Sequence, residues 1–184
     1  ESGLYTAFSV VSAARAQASY LGSSLAGLSV AVEGFGSVGS NAARLAVEAG
    51  ARVVAISTSR GALHDPRGLD VARLLELRAR VGSRMVEGYG GAERAPRESL
   101  LELPVDLLLP CARYHGIHAG NAGRIRARMI CAGANDPVSP EAERALGARG
   151  VHLLPDFVSN CGGVLGGTLA FFAVAPSRIR TLVE

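Results

Sequence analysis

The sequence predicts an α/β fold, a doubly wound, mostly parallel sheet with helices on both faces. Three observations carry this. Short apolar runs alternate with segments of helical period along almost the whole chain. The runs are continuously apolar, as strands covered on both faces must be. Glycines at fixed spacing follow the first run and open the next helix. With 184 residues, the chain is sized for one well-buried domain, with at most an appendage.

The elements follow in order. Leu4, Phe8, Val11 and Ala18 fall near one helical face and no proline interrupts them, so an opening helix is expected from Leu4 to Leu21, stopped by Gly22 and "GSSLAG". Leu28 to Val32 reads as a buried strand, Ser37 to Ala49 as a helix ended by Gly50, and Arg52 to Ile56 as a second strand rich in Val and Ile. "TSRGALHDPRG" puts turn residues on both sides of Ala62 and Leu63, a short excursion before a helix that starts near Leu69 or Asp70 and runs through "VARLLELRARV". Residues 82–97 hold five glycines or prolines without a period and read as a surface loop. Alternation then resumes. A strand is expected at Val105 to Pro110, a short helix around Asn121 to Ile125, a strand at Arg128 to Gly133, a helix capped by Ser139 with Pro140 at its first position, a strand at Val151 to Pro155 and, after "DFVSNCGG", a last apolar helix extending towards Ala175. The expected boundaries are a linking helix at 1–24, the main domain at 25–175 and a tail at 176–184.

Composition excludes several function classes. No apolar run approaches the roughly 18 residues that cross a bilayer, so no membrane role is expected. Charged residues make up only 19% of the chain against 48% apolar, below the roughly 25% usual for soluble domains, which leaves apolar surface for a partner to cover. Cys111, Cys131 and Cys161 are odd in number and far apart, without ligand spacing, which points to reduced thiols in a cytoplasmic protein and to no metal site. His64, His115, His118 and His152 share no spacing and read as ordinary surface or partly buried histidines. The net charge is +3, but the arginines are scattered singly without an aromatic-basic patch, so no nucleic-acid partner is expected. Every basic residue in the Lys+Arg count is arginine. No lysine amine is available for catalysis within the chain.

The glycines define the chemistry. Gly34, Gly36 and Gly39 form GxGxxG between a strand and a helix inside a βαβ unit, the arrangement of a Rossmann-like dinucleotide site. Gly34 permits the tight turn, Gly36 lets a pyrophosphate reach the backbone, and Gly39 lets the helix pack on the strand. Free amides and the positive dipole end of the helix then hold the phosphates, making Gly34, Phe35, Gly36, Ser37, Val38 and Gly39 the candidate cofactor-binding turn. The ribose acid usual at the end of the second strand is missing: the place reads Ser57, Thr58, Ser59, Arg60. An uncharged rim at Thr58 with Arg60 nearby no longer repels a 2′-phosphate, so NADP is expected to be accepted at least as well as NAD. The bland alternative is Arg60 as a solvated turn residue. "PCA" at Pro110 to Ala112 ends its strand on the edge where open α/β sheets bind ligands, which adds the backbone of Cys111 and Ala112 to the candidates.

Together "VAVEGFGSVG", "GARVVAISTSRGALHDPRGLD", "LPVDLLLPCA", "NAGRI" and "CAGANDPVSPEAERALGARGVHLLPDFVSNCGGV" resemble the cofactor-binding domain of the glutamate, leucine, phenylalanine and valine dehydrogenase family, over roughly Leu25 to Phe172. The resemblance implies that Asn135 and Asn160 meet the nicotinamide end of the cofactor, the alternatives being a turn residue before Pro137 and a helix cap. It places Ser37 beside the phosphates and ribose, or as a simple cap. It implies oxidative deamination of an L-amino acid, with hydride passing to the nicotinamide and an imine hydrolysed to an oxo acid and ammonia.

The departures matter equally. Family members use a lysine with an acid partner in a separate N-terminal domain, and this chain has neither, so no catalytic residue is assigned in it. The substrate and a homo-oligomeric assembly are expected through that further domain. Gly166 and Gly167 stand where glutamate-specific members carry a serine for the substrate carboxylate, and Glu33 replaces a common glutamine with no evident role. A non-catalytic NAD(P)-binding module with a regulatory or assembly role is the alternative function.

Overall fold

A computed structural model describes residues 2–184. Among these, helix α1 (Ser2–Tyr20) leads into β1 (Ser29–Glu33), α2 (Ser37–Glu48), β2 (Arg52–Thr58), β3 (Gly61–His64) and α3 (Val71–Val81). A 3-10 turn (Gly82–Arg84), α4 (Met85–Gly88), β4 (Glu93–Ala95) and a 3-10 helix (Arg97–Glu102) follow. The second half holds β5 (Leu107–Pro110), α5 (Ala119–Ala122), β6 (Met129–Cys131), α6 (Pro140–Ala148), β7 (His152–Leu154), α7 (Asp156–Ser159), α8 (Gly162–Phe171) and α9 (Pro176–Val183).

The strands form one sheet in the order β4-β3-β2-β1-β5-β6-β7. It is parallel from β2 to β7 and antiparallel at β2–β3 and β3–β4. Alternation along each strand sends side chains to opposite faces. Val30, Val32, Leu107, Leu109, Met129 and Cys131 join α1 and α2 in one core. Ala31, Leu108 and Ile130 join the 97–102 helix, α5 and α6 in the other. Both faces are therefore covered, as the doubly wound expectation requires.

Local chemistry explains the ends. Ser139 caps α6 by accepting from the Ala142 N–H, with Pro140 at the first turn. Asp70 caps α3 by accepting from Arg73 N–H. His118, expected as an ordinary histidine, accepts from Gly120 N–H and, with Asn121, closes a capping box on α5, so this helix begins before its expected start.

Three expectations need correction. The 82–97 segment is not an irregular loop: it contains a 3-10 turn, α4 and edge strand β4, held because Met85, Val86 and Tyr89 are buried. The Ala62–Leu63 excursion is β3, paired antiparallel on both sides. The last apolar helix expected after "DFVSNCGG" is α8, which ends at Phe171, and a separate single turn, α7, lies within that stretch and ends at Asn160.

Residues 176–184, expected as a tail, carry α9, whose Ile179 and Val183 are buried and whose Arg180 guanidinium lies 4.7 Å from the Phe8 ring centroid. Helix α1 packs against α2 and α8 and contributes Tyr5, Ala7, Phe8, Val10 and Val11 to the core. Gly166 is the reason α8 can approach it: a methyl there would stand 2.5 Å from the Tyr5 ring. Phe157, Val164, Phe171 and Phe172 remain exposed. No helix among the described residues is long and apolar enough to cross a membrane.

Candidate functional site

A cleft of about 600 Å³ opens at the C-terminal ends of β1, β2 and β5. Its floor is the glycine turn. Gly34 adopts φ 89, a left-handed conformation that side chains disfavour. Its N–H donates to Ser57 Oγ at 3.0 Å, and the Phe35 N–H donates to Ser57 O at 2.6 Å, fastening the turn to the end of β2. A Cβ at Gly34 would press on Ala112, and one at Gly39 would strike the Gly34 carbonyl, so both positions need glycine for packing. At Gly36 a Cβ would meet nothing within 4 Å. The backbone there is open to the cleft.

Gly36, rather than Ser37, is the N-cap of α2, and it brings no side-chain acceptor. The capping alternative for Ser37 is therefore not realised; its Oγ lies close to where a methyl on Gly3 of α1 would stand. The first-turn amides of α2 have no intrahelical acceptor by geometry, and they sit at the positive end of a 12-residue helix. Of the turn side chains, Phe35 is buried in the core, and Val38 lies near Gly133. Both support the turn through packing.

The rim departs from the sequence picture. Thr58 is buried, and its Oγ1 donates to Ser83 O at 3.0 Å and accepts from the Arg60 N–H. This binds the end of β2 to the turn after α3. Arg60 is exposed in the β2–β3 connection and does not line the cleft. Arg78, Arg97 and Arg113 do. These three, with Ser83, were not identified from sequence, because their convergence requires α3 and the 97–102 helix to fold back over β2.

Glu33 gains a role. It is buried; its Oε2 accepts from the Ala112 N–H at 3.1 Å and its Oε1 from Arg113 Nε at 3.2 Å. One carboxylate thus clasps the backbone after β5 against the glycine turn. Cys111 donates its N–H to Glu33 O, and its sulfur packs against Gly133. Burial, reinforced by the nearby Glu33 charge, raises the Cys111 thiol far above the usual range, and burial pushes Cys131 up to about 12. Neither forms a thiolate nucleophile at neutral pH.

Asn135 and Asn160 come together beyond β6. The Asn160 Nδ2 donates to Asn135 Oδ1 at 2.8 Å and to Ala134 O at 3.1 Å. Below them Ser159 Oγ donates to Ala132 O and Ser9 Oγ to Ser159 O, while Gly162 N–H donates to Ser9 Oγ. This buried relay fixes the α7–α8 break to α1 and β6.

The fold and this cleft define the class, a Rossmann-like α/β domain with its open glycine turn at the carboxyl edge of the sheet. Residues 3–175 match the Glutamate/Leucine/Phenylalanine/Valine dehydrogenase family, and the chain belongs to it. It is 46% identical over 144 residues to a glutamate dehydrogenase of Thermotoga maritima, covering 78% of this chain and 33% of that one. It is 40% identical to NADP-specific glutamate dehydrogenase A1 of Halobacterium salinarum (95% of this chain, 41% of the relative). It is 38% identical to an NAD-specific glutamate dehydrogenase of Staphylococcus aureus (91% and 39%). The hetero-hexameric glutamate dehydrogenase of Thermus thermophilus superposes with TM-score 0.86 at 30% identity, over 98% of this chain and 44% of that chain. The chain thus spans well under half the length of these relatives.

Proposed function

We propose that this chain binds a nicotinamide dinucleotide, NAD or NADP, and serves as the cofactor-binding part of an amino-acid dehydrogenase of the glutamate dehydrogenase kind. The carrying observation is the Gly36 turn: open backbone lining a cleft of about 600 Å³, no side-chain cap, and the uncapped N-terminus of α2 starting at that glycine. The names of the relatives, which include both cofactor specificities, support the reading.

In this reading the backbone from Gly34 to Gly39 holds the pyrophosphate, Ser57, Thr58 and Ser59 at the end of β2 border the adenosine ribose, and Cys111 and Ala112 line the cofactor with backbone. Asn135 and Asn160 orient the carboxamide. When bound, the dinucleotide supplies a ring that exchanges hydride with the substrate α-carbon. The Glu33 clasp keeps the two backbone walls at fixed separation, and the Ser9–Ser159 relay keeps the asparagine pair from drifting. The amino-acid substrate and its proton-transfer groups belong to chain outside these residues, as does a homo-oligomeric assembly. The protein works in the cytoplasm, without membrane or nucleic-acid contact.

Calorimetric titration with NAD⁺ and NADP⁺ tests this. Binding of at least one, abolished by Gly36→Val while the melting temperature holds, supports the reading. No heat with either cofactor sinks it. Turnover by the intact enzyme, assayed with several L-amino acids, separates a dehydrogenase from the non-catalytic binding module.

A further inference from the structure

We propose that His115 and Asp136 are positioning residues, a lock between two loops that holds Asn135 and Asn160 in the arrangement that receives a carboxamide. This rests on the reading of the asparagine pair as the partners of the nicotinamide carboxamide, and it names the residues that set the pair's geometry.

Backbone conformation singles the two out. Among the described residues, three that are not glycine take a positive φ, and two of them, His115 (φ 46) and Asp136 (φ 44), bond to each other. A left-handed backbone is unfavourable for a residue with a Cβ, and Pro137 behind Asp136 narrows its choice further towards extended backbone. Such conformations persist only where surrounding contacts impose them. Those contacts are present. The His115 N–H donates to Asp136 O at 2.9 Å, and the imidazole Nε2 lies 3.1 Å from Asp136 Oδ2. The Ile117 N–H donates to Pro137 O and the Ser139 N–H to Ile117 O, each at 2.9 Å, so the loops after β5 and β6 run together as a short parallel ladder. The His115 ring also stacks on Tyr114, with centroids 3.8 Å apart.

The neighbours show what the lock holds. Asn135 immediately precedes Asp136. The Asp136 N–H donates to Asp156 Oδ2 at 2.8 Å; Asp156 opens α7, and at the far end of that single turn the Asn160 N–H donates to Asp156 O at 2.7 Å. Asp136 is thus joined to one asparagine through the chain and to the other through Asp156. On the opposite side, His115 follows Arg113, which Glu33 clasps beside the glycine turn. The lock therefore bridges the wall of the cleft and the asparagine pair. Neither side chain belongs to the core, since His115 is 31% exposed and Asp136 54%. Strain held by an exposed polar pair, next to a polar site and away from the core, acts on the geometry of that site.

The test is calorimetric titration of the protein with NAD⁺ and with ADP-ribose, which lacks the nicotinamide, or with their 2′-phosphorylated forms. The ratio of the two affinities reads the carboxamide's share of binding. Glycine accepts the left-handed backbone and removes the side chain. His115→Gly and Asp136→Gly should therefore fold with an unchanged circular dichroism spectrum, while the ratio falls about fivefold, the scale of one hydrogen bond. The double variant should lose no more than either single one, because both remove the same lock. Asp136→Asn tolerates the left-handed region and keeps an acceptor for the ring, and should restore much of the ratio. Without any ligand, the side-chain amide resonances of Asn135 and Asn160 should shift in His115→Gly. A wild-type ratio and unmoved resonances in the glycine variants, or a loss shared equally by ADP-ribose, overturns the lock and leaves the asparagine assignment standing. Equal wild-type affinities for the two ligands overturn that assignment and the lock with it.

Discussion

Asn160 donates through Nδ2 to Asn135 Oδ1 at 2.8 Å, and this one contact fixes both side chains. The second donation, to Ala134 O, determines which end of Asn160 is the nitrogen, since a carbonyl oxygen can only accept and the nitrogen is the amide's only donor. What remains outward is one acceptor, Asn160 Oδ1, and one donor, Asn135 Nδ2. A carboxamide presents the complementary pair.

Replacing either asparagine with alanine is therefore expected to weaken NAD(P)⁺ binding by about 1 kcal/mol, some fivefold, while leaving ADP-ribose, which lacks the nicotinamide, unaffected. Paired titrations of the two ligands check this. An equal loss for both would show that the pair serves structure alone.

The two helix-opening glycines should separate stability from binding. A methyl at Gly39 meets the Gly34 carbonyl, backbone that cannot step aside, so Gly39→Ala should cost about 1–3 kcal/mol in chemical denaturation. Gly36→Ala meets nothing in the protein and should stay within about 0.5 kcal/mol of the parent. It should nevertheless lose dinucleotide affinity, because the methyl occupies the pyrophosphate's approach.

Glu33→Gln keeps an acceptor for the Ala112 N–H and removes a negative charge from the cleft. An anionic ligand should then bind severalfold more tightly, by about 1 kcal/mol for a charge some 8 Å away at an effective dielectric near 40. Raising the salt concentration should shrink the gain. Unchanged or weaker binding would mean that the Glu33–Arg113 pair is needed to shape the site.

Asp106 ties the start of β5 to β1. Burial alone would raise its pKa, but hydrogen bonds from the Ser29 N–H (2.9 Å) and Oγ (2.7 Å), with Arg128, hold it below the ordinary aspartate value. A folded-state pKa that is depressed contributes stability above the unfolded value of about 3.9, and that contribution fades as pH falls through the folded value. Wild-type stability should thus drop in acid more steeply than that of Asp106→Asn, the difference between the two curves closing as pH falls from the unfolded value through the lower folded one. Parallel curves from pH 7 to pH 3 would remove Asp106 from the acid response.

At the other end of the chain, Ile179 of α9 is fully buried. Ile179→Ala should cost about 2–5 kcal/mol, the range for emptying a core site. A denaturant midpoint that does not move would restore residues 176–184 to a loose tail.

Much of this protein is written locally. The βαβ unit was legible because Val30 to Val32 and Val53 to Ile56 are apolar runs too short for helices, and because the Gly34-Gly36-Gly39 spacing marks a tight strand-to-helix turn within six residues: Gly34 takes a left-handed φ and a side chain at Gly39 would strike the Gly34 carbonyl. Asp70, Ser139 and Pro140 mark helix starts by hydrogen bonds and dihedral limits that reach no further than the next turn. Strands β3 and β4 were not legible, since Gly61–His64 and Glu93–Ala95 are too short to show a period and are extended only because each finds a partner. Helix α9 carries just two core residues, too few for a pattern.

The sequence by itself thus determined the parallel core, the glycine turn and the family. Only the tertiary structure decided how the charges meet: which carboxylate clasps Arg113, why Arg60 stands aside, and how Arg78 arrives from another helix at the end of β2. The reason is range. Turn sterics and hydrophobic period act between neighbours along the chain, whereas the pairing of long charged side chains depends on which backbones pack together, and adjacent residues do not encode that.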